Sequence, residues 1–165
     1  MKKFFLPFLI LFQLNIAYCQ NDYWQQQVNY KISVTLNDRD NTLDGNEEMD
    51  YTNNSPDTLH YIWIHLWPNA FKNDKTAFSD QALENGRTDF YFSHNDQRGY
   101  INRLDFRVNG ITARLEDHPQ FIDVAKLVLP ILLNPGQVIK ITIANAGRSA
   151  MILSPPNCGA VVHAV

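Results

Sequence analysis

The sequence predicts an all-β domain, a sandwich or curved sheet, and three observations carry that prediction. Short runs in which apolar and polar residues alternate recur along most of the chain. Turn clusters rich in Asn, Asp, Pro and Gly separate the runs at fairly regular intervals. Only one short stretch has helical character.

The first run is "VNYKISVTL", where Val28, Tyr30, Ile32, Val34 and Leu36 alternate with Asn29, Lys31, Ser33 and Thr35. Period-2 patterning over nine residues predicts a strand with one face on the core and one in water. "NDRDN" is a turn, and "TLDGNEEMDYTN" returns with Leu43, Met49 and Tyr51 on one face. Gly45 and Glu47 interrupt that alternation, which predicts a bulge or an edge. After "NSPD" comes "LHYIWIHLWPNAF". Leu59, Tyr61, Trp63, His65 and Trp67 share one face, while His60, Ile62, Ile64 and Leu66 share the other. Both faces are largely apolar, so a central strand covered on both sides is expected, with Pro68 ending it.

The pattern dissolves over residues 69–99, apart from a helix-like piece over 77–85 closed by Gly86. A connection this long has a functional or interfacial role. Leu104, Phe106 and Val108 then alternate up to Asn109-Gly110, a type I′ hairpin signal, and Ile111, Ala113 and Leu115 alternate after it. "FIDVAKLVLP" and "QVIKITI" complete about seven strands, joined by "ILLNPGQ" with its Pro-Gly turn. After Ile143 the pattern ends, and residues 144–165 form a divergent segment expected to be disordered or frameshifted.

Residues 1–19 read as a signal peptide. Lys2 and Lys3 precede an apolar run, and Ala17 and Cys19 are small residues at the positions a signal peptidase reads. Cleavage after Cys19 makes the product secreted or periplasmic, without a membrane span. Of 14 basic residues two lie in this leader, so the remainder faces 17 acidic residues with a net charge of about −5. An acidic balance argues against nucleic-acid binding. Cys158 is left without a partner, so no internal disulfide forms. Residues 20–143 are the length of one domain, short for an enzyme with both scaffold and elaborate site.

The chemistry-bearing residues do not assemble into a motif. His60 and His65 are five apart, on opposite faces of a strand, and cannot share a metal. His94, His118 and His163 are isolated, with no His-Glu-x-x-His and no Gly-x-Ser-x-Gly. No catalytic, cofactor-binding or metal residue is therefore assigned, and no cofactor is expected in this chain. Trp24, Trp63 and Trp67 could stack on sugars, but Trp63 and Trp67 share a strand face with Leu59 and Tyr61 and are expected in the core. Trp67, beside Pro68, is the expected exception. Asp38, Asp40, Glu47 and Glu48 are expected to be solvated turn and edge charges. Asn53-Asn54-Ser55 is formally a glycosylation sequon.

The run from Trp24 through Phe78 resembles the start of secreted bacterial members of the aminopeptidase N family of zinc metallopeptidases. "Y-K-I-x-V-x-L-x-D", "L-x-G-x-E-x-x-x-Y-x-N-x-S-P-D-T-L" and "I-W-x-H-L-W-P-N-A-F" carry the resemblance, and "RGYINRLDFRVNG" and "L-x-P-G-Q" before "ITI" extend it to about residue 143. The resemblance implies the family's N-terminal β-domain, a saddle-like sheet that serves as scaffold and substrate-cleft wall beside a catalytic domain. It implies that the zinc ligands of the full-length parent lie beyond this chain, so the chain itself is not an enzyme. Its implied partners are the catalytic peptidase domain and, through that domain, peptide substrates. The alternative from another class is a stand-alone exported β-sandwich that binds glycan or peptide.

Overall fold

A computed structural model describes residues 23–40, 42–101, 104–145 and 149–150. The predicted signal peptide, His163, Cys158 and most of the divergent segment lie outside the described residues. The described residues are predominantly β, with nine strands among them in two antiparallel sheets: β1 (Gln27–Asn37), β2 (Thr42–Thr52), β3 (Leu59–His65), β4 (Leu104–Val108), β5 (Ile111–Thr112), β6 (Arg114–Asp117), β7 (Val124–Leu133), β8 (Val138–Asn145) and β9 (Ser149–Ala150). The larger sheet has the order β1-β2-β8-β4-β5, with β9 also paired to β2, and the smaller has the order β3-β7-β6. No helix among the described residues is long and apolar enough to cross a membrane.

One core lies between the two inner faces. Met49, Tyr51, Phe106, Val108, Ile139 and Ile141 from the larger sheet meet Ile62, Ile64, Ala125, Leu127 and Leu133 from the smaller. Register places these residues together. Tyr51 opposes Ile139, Met49 opposes Ile141, and Ile141 in turn opposes Val108, so a continuous apolar row crosses three strands. The Asn109-Gly110 hairpin forms as its dipeptide predicts, with φ of 50° and 83° at the two positions, both left-handed as a type I′ turn requires.

Four expectations about the strands are corrected. β1 forms, but only Val28 of its apolar face packs against the core: Ile32 is 59% exposed, Val34 54% and Leu36 63%. These residues sit on the inner side of the larger sheet, opposite Glu47, Gly45 and Leu43 of β2, where the shorter smaller sheet leaves them uncovered. β2 is neither bulged nor an edge, since its ladder with β1 is unbroken and β8 pairs its other side. β3 is not central: it is an edge strand whose inner face is buried and whose outer face is open. Alternation reports which residues share a face, but not whether anything covers that face.

The run of Ile111, Ala113 and Leu115 is also two strands rather than one. After β5 the chain leaves the larger sheet, and Ala113 alone separates it from β6 in the smaller. The Ala113 N–H still donates to the Phe106 carbonyl, 2.8 Å away, so the chain changes sheets without orphaning that group. β7 continues through Pro130 to Leu133. The ladder with β3 shifts between Leu59 and Tyr61, and Pro130, Ile131 and Leu132 bulge outward there. Proline is tolerated because a bulge asks no ladder hydrogen bond of it.

β8 extends to Asn145, and Ser149–Ala150 pair with Leu43 and Thr42 at the far end of β2.

Candidate functional site

Of the histidines and tryptophans singled out from the sequence, Trp63, Trp67, His65 and His118 gather on the outer face of the smaller sheet, while His60 alternates with them on β3 and is exposed on its other side. β3 carries Tyr61, Trp63 and His65 outward because Ile62 and Ile64 between them face the core. Pro68 lies in the first turn of a 3-10 helix, Trp67–Phe71, so the strand stops where predicted and Trp67 turns out to solvent, 41% exposed. His118 and Phe121 reach the same face from the β6–β7 connection. The contacts are close: Tyr61 meets Trp63 edge-on at 5.7 Å, Trp63 meets His118 at 5.3 Å, His118 meets Phe121 at 4.9 Å, and His65 meets Trp67 at 4.1 Å between ring centres.

Trp63 is thus half-buried on an open face rather than in the core, which corrects the expectation, whereas Trp67 is exposed as expected. Trp24 stands apart near the start of β1 and is exposed as well. The geometry is poor for a sugar platform. Perpendicular rings cannot both lie flat, and the Lys126 ammonium sits 4.6 Å above the Tyr61 ring, covering one of its faces.

The polar groups of this face mostly satisfy one another. Glu116 holds both Lys126, at 3.4 Å, and Arg114, at 2.6 Å. His65 places Nε2 3.4 Å from Asp123 while its Nδ1 is buried without a hydrogen-bond partner. His118 Nδ1 accepts the backbone N–H groups of Gln120 and Phe121, both at 3.1 Å, so this histidine caps a turn and cannot ligate through that nitrogen. His94 caps the short helix Asn95–Gln97 through its backbone. Among the described residues no three His, Cys, Asp or Glu side chains lie close enough to hold a metal ion.

Beside this face stands the lobe of residues 69–99. Phe71, Phe78 and Phe90 form its small core, with ring centres 4.6 to 6.2 Å apart, and the Arg98 guanidinium lies 5.5 Å from the Phe90 ring. Helix α1 (Ala77–Glu84) is capped by Thr76, whose Oγ1 accepts the Ser79 N–H at 3.2 Å and donates to the Ala70 carbonyl at 2.7 Å. Gly86 ends it at φ 74°, as its position after the helical run predicted. Asn69 fixes the lobe to the sandwich: its Oδ1 accepts the Ile101 N–H at 3.0 Å and its Nδ2 reaches the Ile122 carbonyl at 3.5 Å. At the lobe surface Phe92 is largely exposed, its ring edge-on to Tyr91.

Two polar residues have roles that sequence inspection missed. Asn53, the sequon asparagine, is wholly buried. Its Nδ2 donates to the carbonyls of Asp57 and Leu133, and its Oδ1 accepts from Gln26, from the Ser55 N–H and from the Ser55 hydroxyl. Glu47 is not a solvated edge charge. It lies on the inner face between Ile32 and Ile143, its Oε1 is buried without a partner, and burial pushes its carboxyl above the ordinary carboxylate range. Regular pairing on both sides of β2 was the missing signal. Glu48, by contrast, points to the outer face and meets Lys140 at 3.7 Å.

Compared with known proteins, the sequence matches no protein-family model, no curated protein and no solved structure.

Proposed function

We propose that this chain is the non-catalytic N-terminal β-domain of a secreted zinc metallopeptidase of the aminopeptidase N family, a scaffold and substrate-cleft wall with no zinc site of its own. One observation supports this reading above the others. The polar residues of the resembling motifs brace the fold: Asn53 and Ser55 join β2 to the smaller sheet, and Asn69 fastens the lobe. Braced residues suit a scaffold, because a reaction centre needs polar groups left free for substrate. The open aromatic face beside the lobe is then the surface that meets the catalytic domain. Zinc belongs to that domain in the parent, and peptide substrates reach this chain only through it.

The stand-alone module that binds glycan or peptide rests on Trp67 alone, since Tyr61 and Trp63 are turned against each other. A glycan and peptide array with Trp67→Ala as control tests it, and binding that Trp67→Ala removes would favour that reading.

The scaffold reading is tested by metal analysis of the purified chain and by an aminoacyl-naphthylamide assay. Neither bound zinc nor hydrolysis is expected. About one zinc per chain would overturn the reading. Reading the DNA that follows in all frames supplies a second test: His-Glu-x-x-His with a distal Glu is expected, and its absence from every frame removes the main support.

A further inference from the structure

Short connections set the strands of the smaller sheet against those of the larger. Ala113 alone joins β5 to β6, residues 134–137 join β7 to β8, and residues 53–58 join β2 to β3. The order β6-β7-β3 therefore runs alongside β5-β4-β8-β2 and ends with β3 opposite β2. Among the described residues β1 has no counterpart in the smaller sheet, which is why Ile32, Val34 and Leu36 stand exposed on an inner face.

Two features meet at this side of the sandwich. Among the described residues β7 is the only strand partner of β3, so the other edge of β3 directs backbone N–H and C=O groups away from the ladder. Strands in a sheet stand about 4.8 Å apart and packed sheets about 10 Å apart. A strand added to β3 would thus lie over β1, with every second side chain directed onto Ile32, Val34 and Leu36. The other edges do not combine these features. A strand added beside β1 would have no opposing sheet, β5 is two residues long, and three of the four residues of β6 are charged.

The apolar floor also sets the chemistry of what it takes. Glu47 lies in it, paired with Ile32, and its Oε1 is buried without a hydrogen-bond partner. Aliphatic side chains match Ile32, Val34 and Leu36, and a lysine or arginine among them matches the carboxylate. Residues 151–165 of this chain contain neither basic residue. The β1 strand of a second copy has its one base, Lys31, on the face opposite Ile32 and Val34.

We propose that the open edge of β3 takes an extended segment of another polypeptide as a fourth strand of the smaller sheet, one whose inward side chains are aliphatic with a lysine or arginine among them. The proposal is independent of the peptidase reading.

The test is fluorescence anisotropy of the labelled peptide Thr-Val-Thr-Lys-Thr-Val-Thr, titrated with the exported chain to high micromolar concentration. Saturable binding is expected. Glu in place of the peptide's Lys should raise Kd at least about tenfold, and Glu47→Gln in the chain should remove that preference. N-methylation of the odd or of the even peptide residues separates edge pairing from adhesion, because only one set faces β3: one set should abolish binding and the other leave it. Val34→Lys, at a position 54% exposed, should weaken binding at least about tenfold with unchanged circular dichroism. If the dichroism changes, Leu36→Lys takes its place. Phe92→Lys on the lobe should leave Kd unchanged. No saturable binding, equal binding of the Lys and Glu peptides, methylated peptides that behave alike, or a floor variant that binds as tightly would each overturn the proposal. Two results on the chain alone would also overturn it, by giving the place to its own tail or to a second copy: β3 amides protected from exchange on both edges, or a dimer that Val34→Lys dissociates.

Discussion

Asn53 and Leu133 stand 80 positions apart in sequence, yet the Asn53 amide donates to the Leu133 carbonyl at 3.0 Å, a hydrogen bond between the end of β2 in one sheet and the end of β7 in the other. The same amide ties the turn that leads into β3, and the Asn53 backbone bonds to Gly136 and Gln137 in the β7–β8 turn. One buried side chain therefore fixes three chain segments.

Asn53→Ala takes the side-chain donor from the Leu133 carbonyl and the acceptor from the Ser55 N–H and the Gln26 amide, while the Ser55 hydroxyl and the Asp57 carbonyl keep each other. It should lower the unfolding free energy by about 2–4 kcal/mol, measured by urea titration. Asn53→Asp keeps the acceptor but loses both donated bonds, so it should rescue little. The folded chain should also carry no glycan at Asn53 when made in a glycosylating host, as read by intact mass.

Glu47 gives a pH prediction with a definite sign. Its carboxyl titrates higher in the folded chain than in the unfolded one, because burial disfavours the charge. The folded state is therefore relatively favoured below the unfolded value near 4.5 and loses that advantage as pH rises through the folded value. Glu47→Leu should be roughly 0.5–1 kcal/mol more stable at pH 7, a modest figure because the carboxylate is half solvated. The gap should narrow as pH falls through the carboxylate range. A gap that widens on acidification would contradict the assignment.

Thr76→Ala removes the helix cap and the tie to Ala70 together. A loss of about 1–2 kcal/mol is expected, confined to the lobe. Limited proteolysis should then cut near Tyr91 and Phe92 faster, while exchange protection of Ile141 in the sheet stays unchanged.

At Gly110 the backbone stands at φ 83°, where a side chain is strained, with nothing near enough to obstruct a methyl group. Gly110→Ala should cost about 1 kcal/mol through backbone strain alone. Thermal melting reads the change.

Much of this fold was legible in local pattern. The alternation in β1, the Asn-Gly hairpin, the stop at Pro68 and the helix ended by Gly86 each follow from a few consecutive residues. What was not legible depended on which strands become neighbours. Ile32, Val34 and Leu36 have the pattern of a core face and lack only the opposing sheet. Glu47 looks like an edge charge until β8 pairs beside it. Trp63 looks like core until β3 proves to be an edge strand with one side open. The sequon at Asn53 is a surface motif by its letters and a buried brace by its hydrogen bonds, because Leu133 comes to it from far along the chain. For the site, the sequence supplied the aromatic and histidine residues of β3, while His118 and Phe121 joined them only through the turn before β7.

The passage through Ala113 has a mechanical consequence. There a single residue, buried in the core, separates a strand of one sheet from a strand of the other, and residues 134–137 and 53–58 make two longer but still short passages elsewhere. With three such stitches the sheets cannot slide or hinge against each other without tearing hydrogen bonds in both. Force applied to either sheet should be carried through to the other, so that the sandwich yields all at once or not at all.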